Sequence, residues 1–239
     1  MLLPWLPLIL LVATMPIFAL LARGRAADPN VAARPASAVF GYWVRNWMIW
    51  VLSPLERILV RSRVSPDALN YAGLALGVLA GAAFVVRQLP LAAWLMALGG
   101  VCDILDGRVA RARGIASAYG EFLDSTLDRF AETFTFVGVA WYLSDSPWLT
   151  TATLLALGGS MLVSYTRARG EAVGVSYAGG LAQRAERVVV LAIATLLEPS
   201  VTGALAWAVV AIAVASLATA IHRTVFIARV LRTGSPGRR

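Results

Sequence analysis

The chain contains no lysine; all 21 of its basic residues are arginine. It has one cysteine, Cys102, which excludes an intrachain disulfide. Beside Asp103 that thiol reads as a small buried side chain rather than a ligand. The one histidine, His222, stands at an otherwise apolar helix end and reads as a packed or interfacial residue rather than a catalyst. Charge is scarce: 14% of the 239 residues are charged and 59% are hydrophobic, against about 25% and about 45–50% in soluble domains. These shortages exclude a soluble enzyme and describe one integral membrane domain. Only 13 acidic residues oppose the arginines, leaving a net charge of +8. The arginines fall between apolar runs rather than in one patch. That distribution argues against nucleic acid and for membrane lipids and phosphorylated substrates as partners.

What the chain has in abundance is apolar sequence. Runs at 68–86, 91–112, 119–143, 147–168, 185–200 and 202–224 are each near the ~20 residues that cross a bilayer. Arginines gather at 57–63, 108–113, 167–187 and 223–239, whereas 144–147 and 198–203 hold none and 87–90 holds only Arg87. The positive-inside rule therefore predicts six core spans with both ends cytoplasmic. An earlier apolar stretch, 2–22, lacks the basic start of a secretory signal and is followed by Arg23 and Arg25. It is just long enough to span, from outside to inside, while Pro4, Pro7 and Pro16 leave an interfacial placement open. After an alanine- and proline-rich linker, residues 39–63 mix Trp43, Trp47 and Trp50 with Arg45, Arg57, Arg61 and Arg63. That pattern predicts an amphipathic helix on the inner membrane face. The expected organisation is 1–22 accessory hydrophobic anchor, 23–64 linker and interfacial helix, 65–232 six-helix membrane domain, and 233–239 cytoplasmic tail.

Within this apolar background, four aspartates form two helical pairs: Asp103 with Asp106, and Asp124 with Asp128. Spacings of three and four put each pair on one helix face. A carboxylate at membrane depth costs roughly 2.5–3.5 kcal/mol. Two of them about 5 Å apart, at an effective dielectric of about 20, repel by roughly 3 kcal/mol. Divalent cations relieve both costs, and carboxylate oxygens suit Mg²⁺ or Mn²⁺. Between the pairs lie Gly107 and Ala110, small enough for a ligand to approach the backbone, and Arg111, whose planar fork suits a phosphate. Close helix packing is the competing reading for Gly107 and Gly120. Glu132, four after Asp128, shares its face and is expected behind the ligands or as a partner of Arg129, and Glu121 is likewise not a primary ligand.

The spacing D-x2-D-G-x2-A-R-x8-G-x3-D-x3-D, spelled by Asp103, Asp106, Gly107, Ala110, Arg111, Gly120, Asp124 and Asp128, resembles the signature of the CDP-alcohol phosphotransferases. The resemblance extends over about 45–232. It implies a six-transmembrane-helix bundle, commonly dimeric, in which an alcohol attacks the β-phosphate of a CDP-linked lipid such as CDP-diacylglycerol and CMP leaves. It implies two divalent cations on Asp103, Asp106, Asp124 and Asp128, with Asp128 also the base on the acceptor hydroxyl. It implies CDP contacts from Asp106, Gly107, Ala110, Arg111 and Gly120. The preceding segment, SPDALNYAGLALG, resembles the family's nucleotide-binding element, which makes Asn70 either a nucleotide contact or a helix-end polar residue. The site is expected to face the cytoplasm from the inner cell membrane.

A second stretch, Ser164 to Arg187, carries Arg167, Arg169, Arg184 and Arg187, with Glu171 and Glu186 available as partners. Arg184 and Arg187 at a helix start make an anion site; positive-inside bias alone accounts for two of the four. Gly179, Gly180, Arg184, Glu186 and Arg187 are similar to an element of the phosphatidylinositol-phosphate and archaetidylinositol-phosphate synthases. That resemblance implies an acceptor-phosphate cluster of Arg167, Arg184, Arg187 and Arg223, and inositol phosphate as the small phosphorylated alcohol. Arg167 stands where that subgroup has lysine, which changes reach and geometry. Glycerol 3-phosphate is the alternative acceptor. A cation transporter is the alternative class, but a cation pathway gains nothing from a phosphate-binding arginine beside the acids.

Overall fold

The computed structural model describes residues 3–21, 41–177, 179–180 and 183–234; the expected linker, 26–38, and most of the tail lie outside them. Among the described residues the chain forms a short 3-10 turn, Leu3–Trp5, and eight α-helices without a strand. They are α1 (Leu6–Leu21), α2 (Tyr42–Arg61), α3 (Pro66–Val85), α4 (Leu89–Ala112), α5 (Ala118–Tyr142), α6 (Pro147–Ala172), α7 (Arg184–Leu197) and α8 (Ala204–Thr233).

Local sequence explains the starts. Ser65, Ser117 and Ser146 each stand just before a helix and accept a hydrogen bond from the backbone N–H three residues on. Proline at the first or second position of α3, α4 and α6 sits where its missing N–H costs nothing. Glu186 reaches back to the Gln183 N–H at 2.9 Å to start α7. Glu198 accepts from the Gly203 and Leu205 N–H groups to start α8.

Four helices, α3, α4, α6 and α8, are long and apolar enough to cross a membrane. The other two predicted core spans form helices of a different character. α5 carries Glu121, Asp124, Asp128, Arg129 and Glu132 among its 25 residues. α7 has only 14 residues, a rise of about 21 Å against the ~30 Å hydrocarbon layer.

α3 packs against both α4 and α5, α4 against α7, and α6 against α8. The core, which includes Phe84, Met96, Val139, Ala156, Leu191 and Val209, draws on all six of these helices. α3 and α5 approach closely: a Cβ added to Gly77 would stand 2.6 Å from the Cβ of Ala131. Gly81 and Gly138 likewise meet the opposing backbone, so the small residues let the helix that carries two aspartates lie directly on α3.

α2 carries the predicted tryptophans, and α1 lies against them. Phe18 of α1 is buried, with its ring 5.6 Å from Trp43 and 5.7 Å from Trp50. Trp47 Nε1 donates to Thr14 Oγ1 at 2.9 Å, and Trp94 of α4 donates to the Pro4 carbonyl at 3.0 Å. The N-terminal segment is therefore a docked helix of 16 residues, about 24 Å long and short of a full crossing.

Candidate active site

The turn 113–117, with Gly114 in the left-handed region (φ 66°), links α4 to α5, and both helices pack on α3. Asp103 and Asp106 lie in the last half of α4, and Asp124 and Asp128 in the first half of α5, so the connection brings the two pairs to one end of the bundle. Asp103, Asp124 and Asp128 each offer a carboxylate oxygen within 4.8 Å of the others. Asp106 is buried, and its carboxyl lies beside that of Asp124. Its Oδ1 accepts from the Gly107 N–H. Asp106 Oδ2 and Asp124 Oδ1 are buried with no hydrogen-bond partner. Unpartnered carboxylate oxygens in an all-oxygen cluster fit a hard divalent cation.

The arginines are distributed differently from the expectation of a single acceptor cluster. Arg184 reaches the acids: its Nη1 is 3.0 Å from Asp103 Oδ1 and its Nη2 2.8 Å from Asp128 Oδ1. Arg187 forms a buried ion pair with Glu132, donating from Nε at 3.0 Å and Nη2 at 2.8 Å to Oε1. Glu132 thus has Arg187 as its hydrogen-bonded partner, while Arg129 donates to Ser164 Oγ on α6 and lies 3.7 Å from Asp128. Arg223 is buried and donates to the Gly179 and Val163 carbonyls at 2.9 and 2.8 Å, pinning the segment before α7 to α6 and α8. Arg167 is exposed and pairs with Glu171 at 2.9 Å. Arg167 and Arg187 nevertheless both lie within electrostatic reach of Arg223.

The residues predicted to meet CDP lie around the same end. Asn70 is buried and lines a cleft between α3, α4, α5 and α7, together with Asp103, Asp128, Glu132, Arg184 and Arg187. A Cβ on Gly107 would meet the guanidinium of Arg111 at 3.0 Å, and one on Gly120 would meet only Ser117 Oγ at 3.6 Å. Gly77, Gly81 and Gly138 are the glycines that meet an opposing helix between α3 and α5. Ala110 is half-buried on α4 one turn beyond Asp106. No pattern of spacing signals how this end is anchored: Arg108, beside Gly107, meets Glu56 of α2 at 2.6 Å, and Arg113 donates to the Val64 carbonyl at 2.9 Å.

Comparison with known proteins agrees with this geometry. The family model for CDP-alcohol phosphatidyltransferase matches residues 63–233. The phosphatidylinositol phosphate synthase of Streptomyces avermitilis is 37% identical over 220 residues, covering 87% of this chain and 88% of that protein. The archaetidylinositol phosphate synthase of Pyrococcus horikoshii is 39% identical over 150 residues, covering 61% of this chain and 78% of the relative. The crystal structure of Mycobacterium tuberculosis phosphatidylinositol phosphate synthase with CDP-DAG bound superposes with a TM-score of 0.68 at 29% identity, over 74% of this chain and 93% of that one. The same enzyme in complex with manganese and citrate gives 0.67 at 30% identity, over 73% and 87%. The chain belongs to the CDP-alcohol phosphatidyltransferase family. It is a membrane transferase of phospholipid biosynthesis, as the aspartate signature implied.

Proposed function

We propose that the protein transfers the phosphatidyl group of CDP-diacylglycerol to a hydroxyl of inositol phosphate and releases CMP. The observation that carries the reading is the convergence of Asp103, Asp124 and Asp128, with Asp106 beside them, inside an apolar bundle. These four would hold two divalent cations, Mg²⁺ or Mn²⁺, which supply charge neutralisation on the phosphate oxygens of a transfer that depends mainly on positioning. Asp128 takes the proton from the acceptor hydroxyl as its oxygen bonds to the β-phosphorus; the bond from that phosphorus to the CMP oxygen breaks, and CMP leaves with the electron pair. Asn70, Gly107, Ala110, Arg111 and Gly120 receive the CDP group, with Arg111 as a fork on phosphate. Arg167, Arg187 and Arg223, with Arg184 at their edge, draw the acceptor's phosphate to the cleft.

Inositol phosphate is favoured over glycerol 3-phosphate by the names of the relatives and by the G-G-x3-R-x-E-R element. An uncharged alcohol needs no such basic neighbourhood. The arginine distribution supports six core helices in the inner cell membrane, both ends and the active site cytoplasmic, with α2 as the interfacial helix and α1 as an accessory anchor. The domain division is then 1–22, 23–64, 65–232 and 233–239. A homodimer through the membrane helices is the proposed assembly.

The test is the product lipid formed by the purified protein from CDP-diacylglycerol, with inositol 1-phosphate, glycerol 3-phosphate, inositol or serine supplied singly. Mass spectrometry is expected to find phosphatidylinositol phosphate. Phosphatidylglycerophosphate as the favoured product would replace the acceptor and keep the reaction.

A further inference from the structure

The sequence places Arg184 among the acceptor-phosphate residues, but its guanidinium lies on two predicted metal ligands. One nitrogen pairs with Asp103 of α4 and the other with Asp128 of α5, at 3.0 and 2.8 Å. Its side chain is 20% exposed, and its Nε is buried without a partner, so the residue is held there by the two carboxylates. The neighbouring guanidiniums have other anchors. Arg187 is committed to Glu132, and Arg129 is anchored on Ser164 and reaches Asp128 only at 3.7 Å. Among the described residues Arg184 is the cation that bridges two of the converging carboxylates. A planar fork suits this bridging, which a single ammonium would make less well.

We infer that Arg184 is the built-in counter-cation of the carboxylate cluster. It ties α4, α5 and α7 together when no divalent ion is bound, and yields Asp103 and Asp128 when one binds. This rests on the reading of the cluster as a metal site. Its consequence runs against ordinary expectation for a site residue: removing Arg184 tightens metal binding, because the ion no longer competes with a tethered cation. By linkage, the same change destabilises the metal-free protein more than the loaded one.

The experiment uses the full chain in lipid nanodiscs. Mn²⁺ binding is read from the EPR signal of the free ion, and thermal unfolding is followed in chelator and in saturating Mn²⁺. Arg184→Gln is expected to bind Mn²⁺ about tenfold more tightly than the unsubstituted protein, the lower end for losing two charge-assisted bonds. It should melt earlier in chelator and regain the difference in Mn²⁺. Arg167→Gln, which removes an exposed charge from the same end, should change Mn²⁺ affinity by less than about twofold. Arg184→Lys, keeping the charge without the fork, should fall between and decides the matter if Arg184→Gln does not accumulate. An affinity for Mn²⁺ that is unchanged or weaker in both Arg184 variants overturns the inference, as does a gain no larger than that of Arg167→Gln. Failure of the unsubstituted protein to bind Mn²⁺ overturns instead the metal-site reading beneath it.

Discussion

Asp128 is the residue on which the proposed chemistry most depends: it lies with Asp103 and Asp124, pairs with Arg184, and stands one turn from Glu132. Asp128→Asn keeps the volume and removes the charge and the proton acceptor. Turnover is expected to fall by at least about 10²-fold with the fold intact, since general base catalysis alone supplies that much; CMP release and size-exclusion elution of the same preparation check both halves. Glu132 makes a different prediction. It and Arg187 have side chains only 4% and 3% exposed, so Glu132→Gln leaves a buried guanidinium without its counter-charge. Breaking such a pair costs about 3–5 kcal/mol, while replacing both partners by apolar residues is often nearly neutral. Glu132→Gln should therefore unfold well below the parent in a thermal melt, and Glu132→Leu combined with Arg187→Met should recover much of the loss without activity. The aspartates were legible in the sequence because a helix fixes their spacing. Which carboxylate each arginine takes was not: Arg184 and Arg187 lie far along the chain from Asp103, Asp128 and Glu132, and only the packing of α7 on α4 decides their partners.

At the scale of elements, the sequence anticipated the six core helices from apolar length, and the structure places their boundaries within a few residues except at the C-terminal ends of α6 and α8. It did not anticipate that α7 is too short, or α5 too charged, to read as an ordinary span. Both present acids or arginines to the cleft, a demand of the site rather than of the bilayer. Nor did periodicity reveal that α1 covers the tryptophans of α2, because a tryptophan row looks the same whether it meets lipid or another helix. The contact of α2 with α4 is specific. Glu56 and Arg108 pair at 2.6 Å with side chains 16% and 14% exposed, beside Gly107. Glu56→Gln should cost about 1–3 kcal/mol and speed amide hydrogen exchange along α2, and exchanging the two charges should restore part of the protection. Unchanged exchange in the single variant would mean that the aromatic contacts alone hold α2.

At the scale of the molecule, the fold solves a problem of phase. In the proposed reaction the donor is a lipid and the acceptor carries phosphate, so the site must open both to the bilayer and to water. Apolar α3, α4, α6 and α8 provide the membrane body, and the acids and arginines gather at one end of it. Composition made the membrane class legible, and the signature made the reaction legible. The acceptor was the least legible part, because an arginine reads any phosphate alike, and here the relatives contribute what spacing does not. The most direct measurement of the central claim is CMP release by the purified protein from CDP-diacylglycerol and inositol 1-phosphate, with Mg²⁺ or Mn²⁺ and then with excess chelator. The account predicts release that requires both the acceptor and the metal and is lost in Asp128→Asn. Release that persists in chelator, or that Asp128→Asn leaves intact, would contradict it.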